Sequence, residues 1–301
     1  MSLFDRLLVA TLPLVPRPIV RRVAQRYVAG DTLDEAVDAV RALNGDGATA
    51  TLDLLGEEVT HAAQADEAEA EYLRILDAIG REGLDATVSI KATQFGLHLD
   101  ADACRGRLDR VVRDARERDL RVCLDMEDRS TTDAILELHR DLLAQYGNVG
   151  TVLQAYMRRT LDDVAALPDA ALDIRLCKGI YVEPRATAWK GYDTVRHTFV
   201  AALEKLLRRG AYVGIATHDE YLVARAVTLI DQLDVPRDRY EFQMLLGVDS
   251  ELRRILLDAG HPLRVYVPYG RDWYPYSIRR LRENPAIAGH VFRAVIRREP
   301  A

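Results

Sequence analysis

Near its C-terminal end the chain carries Tyr276, Arg279, Arg280 and Glu283, directly after Pro275. Pro275 suits the first turn of a helix, where its missing N–H costs nothing. Tyr276, Arg280 and Glu283 are then spaced i, i+4 and i+7 on one face, with Arg279 beside it. Two guanidiniums held this way can grip a carboxylate in a fixed orientation, as lysine cannot. Alone, an Arg-Arg pair on a late helix reads as a solvated face. Its interest comes from other reactive groups upstream: Lys91, Asp125, Arg175, Lys178 and His218, with Gln154 and Thr217 among them. Only four of the 41 basic residues are lysines, and Lys91 and Lys178 are two of those four. Each also has a plain structural reading. A Lys or Asp at a strand end can be an internal ion pair. Thr217-His218-Asp219 can start a helix, with Asp219 as its cap. Cys123 and Cys177 read as inert core, and the Arg-rich tail Arg293 to Arg298 as a solvated helix face.

What could bring such scattered groups together is a repeating βα rhythm. Apolar, β-branched runs occur near Ala48–Leu52, Thr87–Lys91, Arg121–Asp125, Thr151–Ala155, Asp173–Cys177, Tyr212–Ala216, Tyr240–Met244 and Leu263–Val267. Pro268 is expected to stop the last of them, with loop through Asp272. Helical patterns lie between, as at Glu67–Ile79, Cys104–Glu117, Thr132–Gln145, Arg185–Leu207 and Tyr221–Leu233. This alternation predicts an α/β fold with a parallel sheet. Eight units in about 250 residues is the size of a (βα)8 TIM-type barrel. A doubly wound open sheet is the other reading, weakened because no Gly-x-Gly-x-x-Gly follows the first strand. Extra N-terminal helices are expected over roughly Leu3–Leu43, one of them capped by Asp31 and stopped at Asn44-Gly45. The expected organisation is residues 1–45 packing on a barrel of residues 46–301, one domain overall.

In such a barrel the reactive groups belong at the C-terminal strand ends. Taken in order, those ends carry Lys91, then Asp125, Gln154, Arg175 with Lys178, Thr217 with His218, Gln243 with Leu245, and Tyr266. Polar groups thus recur at nearly every end where an enzyme needs them.

Composition narrows the classes. The chain has 301 residues, 49% hydrophobic and 29% charged, as a packed globular protein does. A net charge of -6 argues against a nucleic-acid binder. Three unpaired cysteines suggest a reducing compartment, the cytoplasm, and no disulfide framework. The seven histidines show no metal-ligand spacing, so no metal site is expected. Leu3–Val20 is apolar but contains Asp5, Arg6, Pro13, Pro16 and Pro18, and does not read as a bilayer span. It is expected to pack on the domain or touch a membrane surface.

The motifs together resemble the proline dehydrogenase family, flavin-dependent (βα)8 enzymes of proline catabolism. The matching stretches are Ser-Ile-Lys91, Asp125-Met-Glu-Asp, Arg175-Leu-Cys-Lys-Gly-Ile-Tyr181-Val-Glu-Pro, Ile-Ala-Thr217-His218-Asp, Phe-Gln-Met-Leu245 and the block Arg264–Glu283. They run in family order over most of the chain. The chain departs from the pattern at Ile180, where the family usually has Ala, and at Leu246, where an aromatic is common. Its length resembles the compact monofunctional form, without an aldehyde dehydrogenase domain.

The resemblance implies FAD-dependent oxidation of L-proline to Δ1-pyrroline-5-carboxylate, with electrons passed to a membrane quinone and transient membrane contact. It implies that Arg279, Arg280 and Lys91 bind the proline carboxylate, and that Asp125 holds the charge network. Tyr266, Tyr276, Leu245 and Tyr181 would wall the proline ring. Arg175 matches an arginine near the reactive flavin nitrogen, where a fixed positive charge favours the reduced ring. Gln154 would bond the ring edge. Lys178, Gly179, Thr217, His218, Arg280 and Glu283 match positions along the rest of the cofactor. No residue stands out as the base for the proline amine. Two other functions remain open: a Schiff-base aldolase barrel using Lys91 or Lys178, and a barrel that binds an amino acid without turning it over.

Overall fold

The computed structural model describes residues 20–21, 24–168, 170–274 and 276–278. The stretch before Val20, and Arg279, Arg280, Glu283 and the Arg293–Arg298 tail, lie outside the described residues.

Eight parallel strands close into a barrel in sequence order. They are β1 (Thr49–Leu54), β2 (Ala86–Ile90), β3 (Val122–Leu124), β4 (Val149–Gln154), β5 (Asp173–Cys177), β6 (Tyr212–Ala216), β7 (Tyr240–Leu245) and β8 (Leu263–Tyr269). The ring closes through β1 and β8, paired from Thr49↔Arg264 to Leu54↔Tyr269. Around it lie α1 (Leu33–Gly45), α2 (Ala62–Glu82), α3 (Ala101–Glu117), α4 (Thr132–Tyr146), α5 (Thr160–Ala166), α6 (Tyr192–Arg208), α7 (Glu220–Gln232) and α8 (Ser250–Asp258). α1 packs against β1 and β8, next to the closure of the ring.

The period of two along each strand divides the molecule. One row of side chains faces the helices and is apolar: Leu52, Val88, Ile90, Ile174, Leu176, Val213, Ile215, Val265 and Val267 are fully buried. The other row faces the barrel axis and is polar, with Asp53, Ser89, Asp125, Arg175, Gln243 and Tyr266 hydrogen-bonded across it. Such interiors are commonly filled by branched aliphatics. Here the hydrophobic core is the shell between sheet and helices. The axis is left to charge.

Several boundaries differ from expectation for local reasons. α2 begins five residues before the expected Glu67, because its Ala- and Glu-rich first turns have high helix propensity without apolar periodicity. Its buried face is Ala65, Ala68, Tyr72, Ile75, Leu76 and Ile79, and Gly83 ends it at φ 61. The cap of α1 is Thr32, not Asp31: Thr32 and Glu35 form a reciprocal capping box. α6 starts at Tyr192, not Arg185, since residues 185–191 are tied back to the β4–α5 loop by Arg158 N–H to Thr187 O at 2.9 Å and Trp189 N–H to Tyr156 O at 2.7 Å. Pro268 does not stop β8, which runs on to Tyr269. Pro268 points past the end of β7, where no strand N–H partner is needed, and its carbonyl accepts the Ala29 N–H at 2.9 Å.

Candidate active site

The C-terminal strand ends open into a cavity of about 610 Å³. Its floor is a cluster of buried charges. Lys91, just past β2, places Nζ 2.8 Å from Asp53 Oδ1 and 3.5 Å from Asp125 Oδ2. Asp125, just past β3, accepts only from donors. Tyr266 OH reaches Oδ2 at 2.8 Å, Arg175 Nη1 reaches Oδ1 at 2.7 Å, and Ser89 Oγ also donates to Oδ1. Arg175 Nε donates to Gln243 Oε1 at 2.6 Å, and Gln243 Nε2 to Glu241 Oε1 at 2.7 Å. That run needs a glycine at position 214 on β6, because a Cβ there would lie 2.3 Å from Gln243 Nε2.

The electrostatics follow from this packing. Burial works to lower the Lys91 pKa, but the Asp53 and Asp125 carboxylates outweigh it and hold it well above the usual value. Burial works to raise Asp125 as well. Lys91 and Arg175 overcome that and keep it below the usual carboxylate range. Asp53 is pushed up by burial, with Lys91 opposing. Lys91 is therefore an ammonium at neutral pH. A Schiff-base nucleophile must be a neutral amine, so this geometry weighs against the aldolase reading at Lys91.

The walls come from the later strands. Gln154 ends β4 with Nε2 on Glu127 O at 2.9 Å. Glu127 itself is buried, its carboxyl bonded to Thr93, and burial raises its pKa to about 7. Lys178, Gly179 and Tyr181 follow β5 and line the cavity. Gly179 has φ 106, and an added Cβ would sit 2.1 Å from the Tyr156 ring, so only glycine fits. Lys178 Nζ lies 3.3 Å from Asp219 Oδ2. Thr217 and His218 follow β6, and His218 Nε2 accepts the Leu245 N–H at 3.0 Å. Leu245, Tyr266 and Tyr276 complete the lining, and Tyr276 packs with Val28 and Leu55.

The structure thus gathers Lys91, Asp125, Gln154, Arg175, Lys178, Gly179, Tyr181, Thr217, His218, Leu245, Tyr266 and Tyr276 around one cavity. Arg279, Arg280 and Glu283 lie outside the described residues. Asp219 corrects its reading as a cap. It occupies the cap position of α7, but its side chain makes no cap bond. It instead takes both Arg196 Nη2 at 2.7 Å and Tyr192 OH at 2.8 Å beside Lys178. Sequence reasoning missed Asp53, because β1 was expected to end at Leu52. The sequence signal is only an acidic residue just past the apolar run; the pairing Asp53↔Ser89 that brings it to Lys91 is a fact of the sheet. Among the described residues no cluster of His, Cys, Asp and Glu could hold a metal ion. Among them, too, no helix is long and apolar enough to cross a membrane.

Fold and site together define a (βα)8 enzyme with a charged floor and an aromatic rim at the C-terminal mouth. Comparison with known proteins narrows this. The proline dehydrogenase family model matches residues 36–293, and the chain belongs to that family. It is 35% identical over 301 residues to proline dehydrogenase of Deinococcus radiodurans, covering 96% of this chain and 97% of that protein. It is 34% identical over 275 residues to proline dehydrogenase 1 of Bacillus subtilis, covering 91% of each. Among solved structures, the proline utilization A protein of Bdellovibrio bacteriovorus superposes with a TM-score of 0.83 at 23% identity, a likeness of fold. The chain covers 33% of that longer protein, and 88% of itself is matched.

Proposed function

We propose that this enzyme oxidises L-proline to Δ1-pyrroline-5-carboxylate with FAD as its cofactor, and passes the electrons to a quinone. The observation that carries the reading is the single cavity that joins a buried lysine–arginine–carboxylate floor to a wall of Leu245, Tyr266, Tyr181 and Tyr276. An amino acid with an apolar ring needs both surfaces.

The residues present fit a flavin. The cavity has room for a tricyclic ring beside a proline. Gln154 is fixed by Glu127 at the end of β4. Arg175 is held from two sides by Asp125 and Gln243. Gly179, packed against the Tyr156 ring, turns the chain next to Lys178 on the cavity lining. These residues, with Thr217, His218, Arg280 and Glu283, would hold the cofactor. Bound there, FAD would supply the hydride acceptor and the electron carrier.

The chain's own groups do the rest. Lys91, with Arg279 and Arg280, takes the carboxylate. Tyr181, Leu245, Tyr266 and Tyr276 hold the ring and exclude water from it. Proline arrives as an ammonium and must lose a proton before hydride can leave the adjacent carbon. The described groups that could accept that proton are engaged. Asp53 and Asp125 serve Lys91, Arg175 and Tyr266, and His218 Nε2 holds the Leu245 N–H. We therefore assign the proton to water at the cavity mouth. Quinone reduction implies transient contact with a membrane surface.

The test is a visible spectrum of the purified protein before and after anaerobic L-proline. A flavin band that bleaches with proline is expected. A band indifferent to proline would discard the substrate, and no band after FAD is added back would discard the cofactor.

A further inference from the structure

Beyond Tyr181, the motif Tyr181-Val-Glu-Pro contains a buried acid, Glu183, that the site has not used. Val182 is fully exposed at the crest of the β5–α6 segment, yet the next residue, Glu183, is only 5% exposed. Its carboxylate points back into the protein. Oε1 accepts the Arg129 backbone N–H at 2.8 Å, and Oε2 lies 3.8 Å from Arg129 Nε. Its own carbonyl accepts from Lys190 Nζ. The Pro184 carbonyl then takes the Thr187 and Ala188 N–H groups at 3.0 Å each.

Arg129 belongs to the β3–α4 turn, which begins at Asp125 and includes Met126 on the cavity wall. Lys178, Gly179, Ile180 and Tyr181 belong to the β5–α6 segment and line the cavity. The two stretches leave non-adjacent strands, and Glu183 bonds one to the other. Without it, the β5–α6 stretch is held near the cavity by main-chain bonds to the intervening β4–α5 loop, such as Tyr156 N–H to Lys178 O at 2.8 Å.

We propose that Glu183 is a positioning residue: its buried carboxylate latches the Lys178–Tyr181 segment to the Asp125–Arg129 turn and so fixes the wall that receives substrate. A buried charged acceptor on a part-buried N–H suits this task, because a hydrogen bond to a charged group is stronger than one between neutral groups. The exposed Val182 beside it has no contact that could do the same.

The test compares Glu183→Ala with Glu183→Gln in the full chain. The glutamine keeps an acceptor oxygen for Arg129 N–H, whereas the alanine does not. Two measurements are made: hydrogen exchange of the amides at 179–183 in the protein as purified, and KM and kcat for proline. Glu183→Ala is expected to speed exchange at 179–183 and to raise KM about tenfold, the weight of one charge-assisted hydrogen bond. The value of kcat should hold within about threefold, and the thermal midpoint should hold, because the segment opens locally. Glu183→Gln should restore both exchange and KM. Parent-like exchange in Glu183→Ala would overturn the latch, as would acceleration spread over the whole barrel. The kinetic arm rests on the proline reading. If the parent protein does not oxidise proline, that reading fails, while the exchange comparison still decides the latch.

Discussion

Replacing Asp125 by Asn tests the charged floor most directly. All of its polar partners are donors: Tyr266 OH, Arg175 Nη1, Ser89 Oγ and the Lys91 ammonium. A carboxylate offers four acceptor sites and no donor. Asparagine has the same shape but turns an NH2 group toward either Tyr266 or the Arg175–Ser89 pair. It also removes one negative charge from a cluster in which Lys91 and Arg175 are balanced by Asp53 and Asp125. At 2.7 Å, the Arg175–Asp125 attraction is about 6 kcal/mol for an effective dielectric of about 20. Breaking a buried pair from one side costs about 3–5 kcal/mol net. That predicts a thermal midpoint lower by on the order of 10 °C at neutral pH. The pH dependence adds a second check. Asp125 has its pKa lowered in the folded state from an ordinary value of 3.8. Its stabilisation is therefore complete above that value and is lost as pH falls through the lower folded value. The gap in midpoint between parent and variant should be constant at neutral pH and should shrink in acid below about pH 4. Thermal unfolding followed by circular dichroism over a pH series reads both effects. A variant within about 2 °C of the parent at neutral pH would refute the reasoning, and so would a gap that survives unchanged into acid.

Arg280→Met should raise the proline KM strongly, since the proposed reading makes Arg280 a carboxylate partner, while the other cofactor-holding residues should keep FAD bound. An unchanged KM in steady-state assays would contradict it. Gly214→Ala places a methyl 2.3 Å from Gln243 Nε2, inside contact distance, and should cost about 1–3 kcal/mol by forcing Gln243 off Arg175. Urea unfolding with a midpoint equal to the parent's would count against the close approach. His139 is 1% exposed on α4, and burial lowers its pKa to about 4 from 6.5. The unfolded chain takes up that proton first, so the parent should lose roughly 3 kcal/mol of stability between pH 6.5 and 4 that His139→Leu does not lose. Identical pH dependence of the two in urea would rule this out.

Much of the fold was legible because the helix-facing row of each strand is apolar and short, which is the pattern that sequence periodicity detects. What escaped lies where a residue's role depends on its neighbour in space. Asp53 reads as the polar end of an apolar run until the pairing Asp53↔Ser89 brings it next to Lys91. Pro268 reads as a strand stop, because its lack of a partner on the β7 side is a fact of the sheet and not of the sequence. Asp219 stands at the correct position for a helix cap, but Arg196 and Tyr192 compete for its oxygens and win. Glu183 looks like an exposed loop residue between Val182 and Pro184, and only the bond to Arg129 gives it a purpose. The strand-end residues Lys91, Asp125 and Arg175 were easier to find. A barrel fixes where strand ends converge, so their position in the rhythm carried three-dimensional information.

The charge count at the floor also bears on what the described cavity needs from the rest of the chain. Lys91 and Arg175 contribute two positive charges, and Asp53 and Asp125 two negative ones, within bonding distance of each other. On the side wall, Lys178 and Arg196 share Asp219. A floor already balanced attracts a carboxylate only weakly, because each cation it offers is partly spent on a buried anion. An anionic substrate group therefore requires further cations facing the same space. In the proposed reading these are Arg279 and Arg280, which follow Tyr276, a lining residue, by three and four positions in the sequence. On the proposed reading the buried cluster would set shape and keep Lys91 charged, while the arginine pair would supply the net attraction. Loss of Asp125 should then show mainly as lost stability, and loss of Arg280 mainly as a raised KM.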